Sequence, residues 1–254
     1  MMVRVPIRES PHRVEYDEAL AALDAVYTDV RELAAGLTPS ALLEFSRCRG
    51  WVVADVLLHL LSDAQRALIA LASPTSEPAD QDFVTYWRAF AEDHAPDADE
   101  WVPGALWVRR SASAFRDGSG LAVIWRETAP AAVRAAGRAD PRGRITTQGY
   151  VLPVADLLAT LAVEAVVHYL DMTVHLEAPE PAPTAVALAT RTLDGLLSDS
   201  LSEHRTQLAA IGEGPHPAGW SAHEYLLKGT GRIALTSADR AALGSAADAL
   251  PLLS

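Results

Sequence analysis

In the sequence PVADLLATLAVEAVVHYLDMTVHL, residues 153–176, most positions hold leucine, valine, alanine or methionine. Pro153 suits the first position of a helix, where its missing N–H is not needed, and Asp156 favours the positive end of the helix dipole. A helix that is apolar nearly all round is typically buried. We therefore predict a core helix over 153–176.

The polar exceptions in this helix form one narrow stripe: Glu164, His168, Asp171 and His175. Their spacing of four, three and four residues keeps them on one face at about 100° per residue. A bare carboxylate is costly to bury unless a metal ion or a strong hydrogen-bond partner compensates it. The stripe therefore predicts a metal site, and the alternative is a face that is merely solvated.

A second helix is predicted from GWVVADVLLHLLSDAQRALIAL, residues 50–71. His59 shares a face of this helix with four polar residues, Asp55, Ser62, Asp63 and Arg66. Taken alone, such a face is typical of a solvated surface. If it meets the stripe on the core helix, two imidazoles and one carboxylate give the ligand set of an open, catalytic zinc site. Nickel, cobalt, manganese and iron accept the same ligands.

Helical segments separated by breaks rich in proline, glycine and acidic residues make up most of the chain. We predict helices over 14–36, 52–71, 82–93, 105–137 with a break at Asp117–Gly120, 153–176 and 185–210. Four of these are long, which favours a mainly α fold built as an antiparallel four-helix bundle with extended connections.

The pattern changes after Gly219. HEYLLKGTGRIAL predicts a short helix and one strand, and TSADRAALG predicts a helix capped by Thr236 and Asp239. This α/β appendage is too short for a core of its own, so it should dock on the bundle. We predict a helical domain over 1–180, and a C-terminal segment over 181–254 that carries the last long helix and the appendage.

Charge and composition narrow the possible partners. The net charge of −12 argues against nucleic acid and anionic membrane surfaces, and it leaves small molecules and metal cations as partners. The first residues lack the apolar region of a signal peptide, and no long uncharged apolar window is present, so we predict a cytoplasmic location. Cys48 is the only cysteine, and we interpret it as an inert, buried thiol.

Two motifs carry a resemblance to a known family. The pattern GW-x-x-A-D-x-x-x-H-L at 50–60, followed by E-x-x-x-H-x-x-D at 164–171, resembles the mycothiol-dependent maleylpyruvate isomerase family of the DinB-like metalloprotein superfamily. The resemblance implies a four-helix bundle with one divalent metal ion, zinc by preference, held by His59, Glu164 and His168. It also implies that the thiol mycothiol is the co-substrate.

The chain departs from the family pattern at several places. Members often have Thr or Ser where this chain has Val52, and many have Arg where it has Leu161. Full-length maleylpyruvate isomerases also have a larger C-terminal α/β domain than this tail allows. The proposed ligands are all present, but the identity of the substrate stays open.

The resemblance implies a thiol-dependent reaction on a small electrophile. A metal-bound thiol loses its proton near neutral pH, and the thiolate can add to an electrophilic carbon. If the adduct collapses after bond rotation, the result is isomerisation; if it is retained, the result is S-transfer. A DinB-like sensor or storage protein without catalysis, and a helical interaction protein without metal, remain as alternatives.

Two further residues have predicted roles at this site. Asp171 is a candidate to orient a ligand imidazole, and its alternative is an ordinary helix-face carboxylate. Arg232, in the sequence GTGR, is a candidate to bind a substrate carboxylate through two N–H groups, and its alternative is a turn residue.

Overall fold

The protein is described by a computed structural model that covers residues 7, 10–93, 101–115, 118–201 and 216–253. Within these ranges it is mainly helical, and the prediction of a mainly α fold is confirmed. The helices are α1 (Tyr16–Gly36), α2 (Val53–Leu71), α3 (Thr85–Asp93), α4 (Trp101–Ser113), α5 (Ser119–Ala136), α6 (Val154–Met172), α7 (Pro183–Leu201), α8 (Ala222–Gly229) and α9 (Ser237–Leu243).

Most helix boundaries lie close to the predicted ones. The predicted break in 105–137 falls where α4 ends and α5 begins, although Asp117 itself lies outside the described residues. The core helix ends at Met172, and a 3-10 turn, Thr173–His175, follows it. The predicted end of the last long helix, 202–210, also lies outside the described residues.

Four long helices, α1, α2, α5 and α6, pack against one another. Helix α1 contacts α5 and α6, and α2 contacts the same two helices from its own side. Helix α7 lies against α1 and α6. In α6 every residue except Glu164 and Leu170 is buried, as its nearly uniform apolar sequence predicts. Glu164 is therefore the acidic residue of this helix that remains partly accessible at the contact with α2.

The segment Val154–His175 is long and apolar enough to cross a membrane, judged by length and composition alone. Of its most apolar window, 78% is buried inside the protein. Core helices of folded proteins meet the same criterion, and the packing of α6 against α1, α2 and α7 accounts for its composition. The cytoplasmic location stays a prediction.

A small antiparallel sheet precedes α6. Its strands are ordered β1 (Pro74–Thr75), β2 (Arg144–Thr147) and β3 (Tyr150–Pro153). The two-residue turn between β2 and β3 is Gln148–Gly149, and both residues have positive φ, as a tight hairpin of type I′ requires. Strand β3 leads directly into α6, and Asp156 in the first turn accepts a hydrogen bond of 2.8 Å from the backbone N–H of Phe83.

The strand predicted in the C-terminal tail is wrong. Residues 216–253 contain helices and turns but no strand. The backbone N–H groups of Arg232 and Ile233 both donate to the carbonyl oxygen of Leu227, at 2.8 and 3.0 Å, and so they close the end of α8 instead of pairing with a strand. The predicted helix over TSADRAALG is confirmed, and Thr236 and Asp239 form the reciprocal capping box at its start.

Candidate metal centre

The contact between α2 and α6 brings His59, Glu164 and His168 together. Glu164 Oε1 lies 2.9 Å from His59 Nε2 and 3.4 Å from His168 Nε2. The ligand atoms of the three residues all lie within 4.8 Å of one another. The two imidazole rings are nearly perpendicular, at an interplanar angle of 87°. The predicted convergence of the two helix faces is therefore present.

The electrostatics of this cluster favour a cation. Burial would raise the pKa of Glu164, but hydrogen bonds from His168 and His59 hold it well below its usual range. Burial would lower the pKa of His168, but hydrogen bonds to Asp171, Cys48 and Glu164 outweigh this effect and raise it well above its usual range. In the protein alone, the proton on His168 supplies positive charge next to the carboxylate, and a bound metal ion would supply it instead.

The donor set fits a divalent metal ion. Two ligands of one tetrahedral zinc ion lie about 3.4 Å apart when their bonds are about 2.0–2.1 Å long. The N–O distances of 2.9 and 3.4 Å to Glu164 are close to that separation. Two imidazoles and one carboxylate leave at least one open position, which distinguishes this arrangement from a closed, structural site.

His175, the last member of the predicted stripe, does not reach this cluster. Because α6 ends at Met172, His175 lies in the following 3-10 turn and its side chain is exposed. The metal-ligand group on α6 therefore consists of Glu164 and His168, one helical turn apart.

Asp171 lies directly behind His168. Its Oδ2 atom is 2.9 Å from His168 Nδ1, on the side of the ring opposite to Glu164, and its side chain is 0% exposed. A carboxylate in this place accepts a hydrogen bond from Nδ1–H and leaves Nε2 to face the cluster. Hydrogen bonds from His168, and the charge of Arg232, outweigh the burial of Asp171 and lower its pKa.

Arg232 reaches the site from the C-terminal tail. Its Nη2 atom lies 3.2 Å from Asp171 Oδ2, and its Nε atom donates to Asp171 Oδ1 at 3.3 Å. A third donor, Nη1, binds the carbonyl oxygen of Thr230 at 2.9 Å. The sequence predicts a substrate carboxylate as the partner of Arg232, whereas the two-pronged contact in the structure is made with the buried Asp171.

Cys48, which the sequence predicts to be a buried and inert thiol, is only half-buried and lies beside the candidate site. Its Sγ atom lies 3.1 Å from Asp171 Oδ2 and 3.6 Å from His168 Nδ1, so an imidazole does adjoin this thiol. Cys48, His168 and Asp171 also form a group with metal-ligand geometry. The guanidinium of Arg232 on Asp171 disfavours a second cation there. No local signal in the sequence connects Cys48 with a residue 120 positions away.

Asp63 also lies beside the cluster. Its Oδ2 atom is 3.4 Å from His59 Nε2, and this buried oxygen has no hydrogen-bond partner among the described residues. Burial raises the pKa of Asp63 to about 6, an effect that the charge of His59 opposes and that of Glu164 reinforces. The spacing of four residues between His59 and Asp63 was available in the sequence, but it was interpreted as part of a solvated face.

The chain is therefore a mainly helical protein with a candidate site for one divalent cation between two of its helices. Residues 23–173 match the family described as the mycothiol maleylpyruvate isomerase N-terminal domain, and the chain belongs to this family. The matched range includes all three candidate ligands and Asp171, whereas Arg232 lies beyond it. Comparisons with curated proteins and with solved structures found no match.

Proposed function

We propose that the chain is a metal-dependent enzyme that uses a small thiol, mycothiol, to isomerise or S-conjugate a small electrophile. The observation that supports this most directly is the convergence of His59, Glu164 and His168, in a chain that belongs to a mycothiol-related family. We assign the three residues as ligands of one divalent ion, and zinc is our choice for that ion because the ligand set suits it.

The proposal includes the organisation of the chain. Helices α1, α2, α5 and α6 would be the DinB-like antiparallel four-helix bundle, with residues 1–180 as its domain. Residues 181–254 would be a C-terminal segment docked on that bundle. The packing of α7 against α1 and α6, and the contact between Arg232 and Asp171, support the docking. The net charge of −12 supports small-molecule partners in the cytoplasm over nucleic acid or membranes.

The chain's own residues prepare the site for a thiol. When bound, the ion would stabilise the thiolate form of a thiol in the open position near neutral pH. His59, Glu164 and His168 would hold the ion and leave a position open for the thiol. Trp51 packs beside His59, with ring centroids 5.5 Å apart, and so limits the freedom of this imidazole.

Asp171 and Arg232 would act on the site through His168. Asp171 accepts from His168 Nδ1 and so holds the imidazole in the tautomer that presents Nε2 to the ion. Arg232 holds Asp171 in turn, since three of its donors bind Asp171 and Thr230. We propose this positioning role for Arg232 in place of a direct contact with a substrate carboxylate.

Metal analysis of the untagged protein tests the ligand assignment. We expect about one equivalent of divalent metal in the wild type, and its loss in His59→Ala, Glu164→Gln and His168→Ala. His175→Ala is the matched control, because His175 continues the same stripe but is exposed and remote from the cluster. Unchanged metal content in the three ligand variants, or no stoichiometric metal in the wild type, would favour a helical protein without a metal site.

Turnover separates the enzyme from a metal sensor or storage protein. The metal-loaded protein is incubated with mycothiol and a panel of small electrophiles, and isomerised or S-conjugated products are measured. In parallel, the cobalt-substituted protein is titrated with mycothiol to detect a thiolate charge-transfer band. A protein that holds metal, but shows neither product nor thiol binding, would contradict the enzymatic proposal.

A further inference from the structure

Asp63 is a partly buried charged group that the proposed mechanism does not use. It lies on α2, one turn after His59, and its side chain is 17% exposed. Its Oδ2 atom has no hydrogen-bond partner among the described residues. Buried carboxylate oxygens nearly always have a donor, so this acceptor next to the candidate site is available to a donor on a bound ligand.

The neighbouring protein groups do not provide that donor. The nearest is His59 Nε2 at 3.4 Å, but this nitrogen also lies 2.9 Å from Glu164 Oε1. When Nε2 binds a metal ion it carries no proton and has none to give to Asp63. Glu164, when ionised, can only accept a hydrogen bond. Arg66, one turn further along α2, has an exposed side chain and makes no hydrogen bond to Asp63 Oδ2.

A second buried polar atom lies in the same surroundings. Tyr27, on α1, is 3% exposed, and its hydroxyl has no hydrogen-bond partner among the described residues. Burial raises its pKa most strongly, and the negative charges of Asp63 and Glu164 raise it further. The hydroxyl of Tyr27 therefore lies in the field of Asp63 and Glu164.

We propose that Asp63 accepts a hydrogen bond from an N–H or O–H group of the thiol bound at the metal centre, and that it thereby selects thiols with a donor close to sulfur. This inference rests on the proposed function, because it needs both the ion and the thiol. Asp63 is adjacent to His59 Nε2, so a ligand beside that nitrogen lies beside Asp63 too. The contact is a charge-assisted hydrogen bond, which is the stronger kind.

Two probe thiols that differ in one atom test the proposal. N-acetylcysteamine carries an amide N–H near its sulfur, whereas 2-mercaptoethyl acetate has an ester oxygen in its place. Their affinities for the cobalt-substituted protein are measured from the thiolate charge-transfer band. We expect the wild type to bind the amide about tenfold more tightly than the ester. Asp63→Leu removes the acceptor and should lose most of this preference while it keeps its cobalt. Asp63→Asn replaces the charged acceptor by a neutral amide oxygen, so it should keep its cobalt and only part of the preference.

Ser62→Ala is the matched control, because Ser62 adjoins Asp63 on α2 and its hydroxyl binds the carbonyl oxygen of Leu58 within the helix. It should keep the wild-type preference. Equal affinity of the wild type for the two probes would overturn the inference. Loss of cobalt from Asp63→Asn would overturn it as well, because Asp63 would then be a metal ligand or a structural residue. Absence of cobalt or of any thiolate band in the wild type would instead contradict the proposed function.

Discussion

Replacing Asp171 by asparagine should weaken metal binding without removing a ligand. Asp171 Oδ2 lies 2.9 Å from His168 Nδ1 and the residue is completely buried, so water cannot replace the carboxylate. Removal of such an orienting partner lowers metal affinity by about ten- to a hundredfold, which corresponds to about 1.4–2.8 kcal/mol. The amide oxygen can still accept from Nδ1, so we expect a value near tenfold. The affinity is measured by competition for Zn²⁺ against a chromophoric chelator.

Two controls separate the loss of metal affinity in Asp171→Asn from a general effect of charge and from a loss of stability. Asp24→Asn removes the same charge from an exposed position on α1, and it should bind Zn²⁺ like the wild type. Urea unfolding of Asp171→Asn is measured separately, because Arg232 loses its buried counter-ion and the free energy of unfolding should fall by about 3 kcal/mol. If Asp171→Asn binds Zn²⁺ within twofold of the wild type while Glu164→Gln does not bind it, the reasoning about His168 orientation is refuted.

Three further predictions concern stability. Burial raises the pKa of Asp156 from 3.8 to about 7. Because the folded state holds this proton more tightly than the unfolded state, the free energy of unfolding should fall by up to about 4 kcal/mol as the pH rises from about 4 to 7. Asp156→Asn should remove this dependence when urea unfolding is compared at pH 5 and pH 8. Leu158→Ala, at a position 0% exposed, should lower the free energy of unfolding by about 3 kcal/mol with metal content retained; a change below about 1 kcal/mol would contradict the burial. Lys228→Gln removes a cation 2.7 Å from the buried carboxylate of Asp239, so it should lower the free energy of unfolding by about 2 kcal/mol. An unchanged midpoint in thermal or urea unfolding would show that this ion pair is not stabilising.

The local sequence determined the helices and the candidate ligands. Helical periodicity repeats every few residues, so an apolar run such as 153–176 predicts a buried helix without knowledge of its neighbours. The same periodicity puts Glu164 and His168 on one face, one turn apart. Capping is local as well, which is why the box formed by Thr236 and Asp239 could be predicted from spacing alone.

The small sheet could not be predicted in the same way. Strand β1 has only two residues, and its pairing with β2 joins Pro74 to Ile145, far apart in the chain. Conversely, the stretch around Ile233 has strand-like composition but pairs with no strand, because its N–H groups close helix α8. Strand formation depends on an available partner edge, and the sequence of one segment does not contain that information.

Which residues surround the candidate metal site depends on the tertiary structure. Cys48 and Arg232 both meet Asp171, yet they come from a loop before α2 and from the tail after α8, and no periodicity relates them. For Asp63 the spacing along the chain predicted the correct helical face, but the packing of α2 against α6 places that face at the candidate site instead of in solvent. A helix face is set by spacing along the chain, whereas its solvent exposure is set by what packs against it.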